Sequence, residues 1–389
     1  MSESQGSAPP TTPPRERTTA IRQRLAELRG PTVVPRPLDA RALAALAANP
    51  GCRRRALLDG AGVDKGALAE ALGSPSAAFG QSQFAIARGT TFESRVKADG
   101  GTELLRLLHE HVGAGGEPPK DAAVPDLSAA GPEGRAARTA LALREATASG
   151  AWTLLDHPML VLNVAGSPAY LEPDAVVVAP DGRWTVVEIK SFPMIDAAAD
   201  PAKVGAAARQ AAVYALALER VAHLTEGAEV AHSVLLVCPK DFSNLPTASL
   251  VDVRKQLSVT RRQLARLTRI EEIADGLEPG ASFDPDRPAP ELTRTVESVP
   301  AAYAPECLAA CELAFHCRER ARAADAVTAL GRGLRAELGG LTTIGEVLSA
   351  ARAASGDADD PTVAALRRAA TLRAEALAGA RCAEAAACS

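Results

Sequence analysis

Two carboxylates and an ammonium, Asp174, Glu188 and Lys190, are carried by one stretch running from Pro173-Asp174 to Glu188-Ile189-Lys190. Midway lies Ala179-Pro180-Asp181-Gly182, a turn signal in which proline presets one backbone angle and glycine takes the left-handed one. A three-residue loop of Pro180, Asp181 and Gly182, with a bulge at the glycine, pairs Ala179 with Arg183. Counting outward, Asp174 falls opposite Glu188, and Lys190 joins their face because strand side chains alternate. Like charges opposed across a sheet repel. A divalent cation removes that penalty, and hard cations such as Mg²⁺ and Mn²⁺ take carboxylate oxygens. Such an ion polarises a phosphoryl oxygen and acidifies an attacking water, while Lys190 orients or deprotonates that water and offsets developing charge. The competing reading is a surface hairpin whose Glu188 and Lys190 form an exposed ion pair.

Downstream, Gln210-Ala-Ala-Val-Tyr214 sets Gln210 and Tyr214 on one helix face, four residues apart. An alanine-rich helix can lie close to a sheet and let both polar groups reach the hairpin's end. The plainer alternative is a core tyrosine beside a solvated glutamine. Pro-Asp, Glu-x-Lys and Gln-x-x-x-Tyr, in this order, resemble the RecB branch of the PD-(D/E)XK nucleases, which also takes in CRISPR-associated exonucleases. The resemblance implies that Asp174 and Glu188 bind the metal, with the Ile189 carbonyl as a further ligand. It implies that Lys190 is catalytic and that Gln210 and Tyr214 position the substrate strand. Family members usually place a Gly-x-x-x-His near the first core helix, with the histidine as a metal ligand. Here Gly89-Thr90-Thr91-Phe92-Glu93 matches, with Glu93 in the histidine's place. Glu93 is therefore either a ligand to the same cation or part of a capping box with Thr90.

Cys307, Cys311 and Cys317 fall within eleven residues, and a cluster this dense needs a reason in a cytosolic chain. With Cys52, one cysteine precedes the nuclease motifs and three follow them, as in the iron–sulfur members of that branch. The resemblance implies a 4Fe–4S cluster on Cys52, Cys307, Cys311 and Cys317. Structural zinc, with His316 or Cys52 completing the set, is the alternative. Cys238 ends a buried strand and reads as a small core residue. Cys382 and Cys388 have no assignable partners.

These groups need elements to hold them. A chain of 389 residues with 47% hydrophobic content can bury a sizeable core, but aromatics are only 3%, so Ala, Leu and Val must fill it. The net charge of -4 excludes a globally basic nucleic-acid coat and leaves DNA contact to local patches. One is Arg254 to Arg269, whose Val253, Leu257, Leu264 and Leu267 pack inward and whose Arg261, Arg262, Arg266 and Arg269 face outward. Phosphate contact and a solvated face are both open there. Arg53 to Arg55 is a second candidate. Among 43 basic residues only 7 are lysines, so a lysine at a motif position is less easily chance. No long apolar run spans a membrane, the N-terminus lacks an apolar signal core, and the cysteine usage fits a cytoplasm.

Periodicity places helices over 19–28, 40–72 (broken at Asn49-Pro50-Gly51), 84–109, 136–148, 202–224 and 251–273. Strands are expected within 152–187 and at 233–238. The expected fold is α/β, a restriction-endonuclease-like mixed sheet flanked by helices, with helical N- and C-terminal extensions. Its expected parts are a disordered tail (1–35), a helical arm carrying Cys52 (36–85) and a nuclease core (86–275). A linker with the cysteine-rich segment (276–320) and a C-terminal helical region (321–389) follow. Gly339 to Leu348 could form a helix-hairpin-helix module or part of a plain bundle. The expected activity is metal-dependent, exonuclease-like hydrolysis of DNA in repair, recombination or phage defence. The expected partners are single-stranded or free-ended DNA and a helicase or other repair or defence protein. The alternative is a catalytically inactive iron–sulfur DNA-binding or scaffold protein of a larger complex.

Overall fold

Valine-rich runs bounded by turn residues form the strands, and alanine-rich segments form the helices around them. The structure is a computed structural model, and it describes residues 14–75, 83–112, 117–241, 243–325, 327 and 332–387. In chain order the helices are α1 (Pro14–Arg29), α2 (Ala40–Ala48), α3 (Arg53–Ala61), α4 (Lys65–Ala71), α5 (Gln83–Val96), α6 (Ala98–Val112) and α7 (Gly131–Ser149). After them come α8 (Pro201–Ala222), α9 (Arg254–Leu264), α10 (Ile270–Asp275), α11 (Ala289–Ser298), α12 (Ala314–Ala323), α13 (Arg332–Glu337), α14 (Ile344–Ala351) and α15 (Pro361–Ala387). The strands are β1 (Thr153–Asp156), β2 (Leu160–Val164), β3 (Ser167–Leu171), β4 (Ala175–Val178), β5 (Arg183–Ile189), β6 (Glu229–Val230), β7 (Ser233–Pro239) and β8 (Pro246–Asp252).

One mixed sheet runs β1-β4-β5-β7-β8, and β6 pairs with β5; β2 and β3 form a separate hairpin. β5 and β7 are parallel, so the chain must cross over between them, and α8 makes that crossing. Central strands covered on both faces read as near-continuous apolar runs, as Val176, Val177, Val178, Val186 and Val187 do here. One face carries Ala175, Val177, Val187, Ile189, Leu235 and Val237 and packs against Phe92, Val96, Leu104 and Leu108 of α5 and α6. The other carries Leu236 and Cys238 and meets Ala207 of α8. Ala207, Ala208, Ala211, Ala212 and Ala215 are all buried, and their small side chains let α8 approach the sheet closely.

The chain divides into two units, one of residues 1–64 and 80–299, the other of 65–79 and 300–389. The sheet belongs wholly to the first. In the second, a short 3₁₀ turn (Pro305–Ala309) carries Cys307, and α14 packs on α15. Thr343 and Glu346 cap α14 in a reciprocal box. Gly339 and Gly340 lie in the turn between α13 and α14.

Several expectations need correction. Residues 14–29 form a helix with Leu28 fully buried, so the predicted tail of 1–35 is not structureless beyond residue 13, and 1–13 lie outside the described residues. The expected N-terminal arm is divided, because 65–79 belongs with the C-terminal helices. Arg54 and Arg55 are 7% and 8% exposed: Arg54 donates to the Val299 carbonyl and Arg55 to Asp59, so they form no open phosphate patch. β8 escaped the sequence reading because Pro246-Thr-Ala-Ser-Leu-Val-Asp252 lacks a β-branched run and is half-exposed at the sheet's edge. Thr90 lies inside α5, so no capping box with Glu93 forms there. Cys388 lies outside the described residues.

Candidate active site at the end of the sheet

The turn between β4 and β5 sets the register. Ala179 N donates to the Arg183 carbonyl and Gly182 N to the Ala179 carbonyl, each at 2.9 Å, and Gly182 takes φ +83°. The ladder runs from Val178 opposite Trp184 to Ala175 opposite Val187. One further step brings Asp174 level with Glu188, as the outward count from the turn requires. A slip by one residue would have sent them to opposite faces.

Glu188 lies on the face covered by α8, beside Ala207, Ala208 and Ala211 of α8 and Val234, Leu236 and Val251 of the sheet. It is 1% exposed, which is unusual for a carboxylate and demands a partner. Lys190 supplies half of one: its Nζ stands 2.5 Å from Oε2, an ion pair out of line for a hydrogen bond, while Oε1 meets no donor. Burial pushes the Glu188 carboxyl up to about 7; Lys190 opposes that rise and Asp174 adds to it. Burial also works against the Lys190 charge, but Glu188 and Asp174 outweigh it, so the ammonium's pKa is raised. Asp174 Oδ2 accepts from Ile189 N at 2.6 Å and lies 3.7 Å from Lys190 Nζ. Two acids, an amine and the Ile189 peptide thus meet at one strand end.

Gln210 and Tyr214 reach the same place from α8. Gln210 Nε2 donates to the Tyr214 hydroxyl at 3.0 Å, and that hydroxyl donates to the Glu172 carbonyl at 3.2 Å, two residues before Asp174. Burial raises the phenol's pKa, and the nearby Glu188 and Asp174 carboxylates raise it further.

Glu93 approaches from the α5 side and is already engaged. Its Oε1 lies 2.5 Å from Lys97 Nζ and 3.0 Å from His157 Nε2. The His157 hydrogen bond, helped by Lys97, holds its carboxyl down at about 2 in spite of burial. Lys97 also reaches Asp156 Oδ1 at 2.6 Å and the Asp174 carbonyl at 2.7 Å. The sequence reading missed Lys97, Asp156 and His157. The signals were present: a lysine one turn beyond Glu93 in a lysine-poor chain, and an Asp-His pair at the end of the first strand.

The divalent-ion fit rests on Glu188. A buried carboxylate oxygen without a donor, facing a second carboxylate, is the donor set that a hard cation satisfies. Among the described residues, no three His, Cys, Asp or Glu side chains form a metal-holding group. Asp174 and Glu188 are only a pair, and the third protein ligand implied by the resemblance, the Ile189 carbonyl, is backbone. In the second unit, Cys311 is buried and Cys307 and Cys317 are half-buried; both of the latter act on the Tyr303 phenol. Cys52 is buried in the first unit at the start of α3.

Of the basic stripe, Val253, Leu257, Leu264 and Leu267 pack inward as expected. Arg261 pairs with Glu219 and Arg269 with Glu271, and Arg262 and Arg266 are exposed beside them. No helix among the described residues is long and apolar enough to cross a membrane. No family model, no curated protein and no solved structure matches the chain.

Proposed function

We propose that the chain is a metal-dependent phosphodiesterase that hydrolyses DNA, acting on single strands or free ends, with the PD-(D/E)XK resemblance as the guide to its chemistry. The observation that carries the reading is the buried Glu188 carboxylate with an unpartnered oxygen, set beside Asp174 and Lys190. Structural ion pairs are rarely left half-satisfied at 1% exposure, because an unpaired buried charge is costly. Asp174, Glu188 and the Ile189 carbonyl would hold Mg²⁺ or Mn²⁺, which supplies Lewis-acid polarisation of a phosphoryl oxygen and a more acidic water.

The chain's own groups have separable tasks. Lys190, with its pKa raised, stays an ammonium at neutral pH. It therefore orients the attacking water and stabilises charge developing on the phosphoryl oxygens, and is not a ready base. Gln210 and Tyr214 bind and orient the strand next to the Asp174 end. Arg262 and Arg266, exposed on the first unit, are the proposed phosphate contacts.

The test is a nuclease assay on single- and double-stranded DNA with Mg²⁺ or Mn²⁺, comparing wild type with Lys190→Ala and Glu188→Gln. Wild-type cleavage lost in both variants supports the reading; equal cleavage in all three discards it. A second reading, an inactive DNA-binding or scaffold protein, draws on one observation: Glu93 is taken up by Lys97 and His157. DNA binding with no metal-dependent cleavage would establish it. The cysteine-bound cluster stays a proposal resting on the resemblance alone. Iron in the purified protein supports it, and stoichiometric zinc replaces it.

A further inference from the structure

Lys97 follows the last turn of α5, where the helix's C-terminal end favours a cation, and its side chain is 11% exposed. Four acceptors converge on its Nζ: Glu93 Oε1 at 2.5 Å, Asp156 Oδ1 at 2.6 Å, the Asp174 carbonyl at 2.7 Å and His157 Nε2 at 3.1 Å. An ordinary helical Glu-Lys pair four residues apart has one acceptor and lies in solvent. This ammonium instead ties three separate segments together: α5, the end of β1 and Asp174, the residue just before β4. His157 serves either state of its ring. Neutral, its Nε2 accepts from Lys97; protonated, it donates to Glu93.

We propose that Lys97 is a built-in cation, a positioning residue whose ammonium fills the seat that a second divalent ion would take beside Asp174, so that the site works with one bound ion. Two carboxylate oxygens, a peptide carbonyl and an imidazole nitrogen are the donors that Mn²⁺ accepts. As they stand in the structure, the Glu93, Asp156 and His157 side chains form no metal-holding group, and the ammonium lies among them. The backbone carbonyl that Lys97 grips belongs to the same residue whose carboxylate faces Glu188, so its position also fixes the neighbouring donor. The inference rests on the metal reading of Asp174 and Glu188 and adds to it a stoichiometry and an owner for the second positive charge.

Manganese counting on the full chain separates the two. Free Mn²⁺ is followed by room-temperature EPR, and Glu188→Gln supplies the background of weak surface sites. Wild type binds one ion above that background. Lys97→Met, which keeps the aliphatic stem, binds two and gives a spin-coupled pair signal at low temperature. Adding Glu93→Gln to Lys97→Met returns the count to one, and Lys97→Arg, which keeps the charge, stays at one. Two ions in wild type, or one in folded Lys97→Met, overturns the role of Lys97 and leaves the metal site standing. No ion above background in wild type overturns the metal reading itself. The wild-type count needs only the Glu188→Gln background sample to fold.

Discussion

Nζ of Lys190 and Oε2 of Glu188 lie 2.5 Å apart on the face of β5 that α8 covers. Two residues apart on one strand, they share that face by the alternation of the pleat. The pair is unequal. Lys190 keeps 24% of its side-chain surface, whereas Glu188 keeps 1%. Desolvation therefore falls mainly on the acid, and Asp174 adds a second negative group without adding a donor.

That imbalance predicts how stability depends on pH. The Glu188 carboxyl is raised from 4.5 to about 7 in the folded chain. The folded state then holds a proton that the unfolded state releases. The stabilising contribution is fully present below about pH 4.5 and is lost as pH rises through about 7. Its size is on the order of 3 kcal/mol. In metal-free buffer, the urea midpoint of wild type minus that of Glu188→Gln falls between pH 5 and pH 8. A difference that is flat or rises over this range would refute the account.

Lys190→Ala removes the cation paired with Glu188 and the group assigned to the developing charge. Loss of such a group costs about 10²- to 10³-fold in turnover. DNA affinity, on the proposal that Arg262 and Arg266 carry it, should change little. Single-turnover cleavage and fluorescence anisotropy on the same samples separate the two effects. A parallel fall in both would reassign Lys190 to substrate binding.

Tyr214→Phe deletes the hydroxyl that joins Gln210 to the Glu172 carbonyl. About 1 kcal/mol of stability should go with it, the usual net worth of such a bond. KM for a short oligonucleotide should rise more than kcat falls if the pair has its proposed role of positioning the strand without bond chemistry. An unchanged KM with a large loss of kcat contradicts that role.

Much of the site was legible because strand arithmetic is strict. A turn type fixes a register, and a register fixes which side chains meet, so Asp174, Glu188 and Lys190 could be brought together from Pro180-Asp181-Gly182 alone. The spacing of Gln210 and Tyr214 is equally local, and their place near Glu172 follows once α8 crosses between β5 and β7. Lys97 stood out as a lysine one turn beyond Glu93, but its convergence with distant acceptors was not legible. Besides Glu93, its acceptors come from residues as far as 60 and 77 positions away, and no local pattern states which strand end a helix terminus will touch. Arg54 and Arg55 misled for the converse reason, since three consecutive arginines at a helix start look exposed until Val299 and Asp59 are seen to receive two of them. β8 was lost because its ladder with β7 is held by backbone bonds that its side chains do not advertise.

The turn that sets the register is itself open to test. Gly182 sits at φ +83°, and a Cβ there would come within 2.1 Å of the Gly227 carbonyl oxygen, a backbone atom that cannot swing away. Gly182→Ala therefore combines a left-handed strain with a clash and should cost well over 1 kcal/mol. Gly100→Ala is the control, since Gly100 has φ +68° and nothing within 4 Å of its would-be Cβ. It isolates the conformational term. If Gly182 pins the pairing, Gly182→Ala relieves its clash by loosening the β4–β5 ladder, and Asp174 loses its place beside Glu188. Metal-dependent cleavage should then fall further in Gly182→Ala than in any Gly100→Ala sample brought to the same folded fraction with urea. Equal activity at equal folded fraction would mean that the register is held by the strands alone and that the turn only joins them.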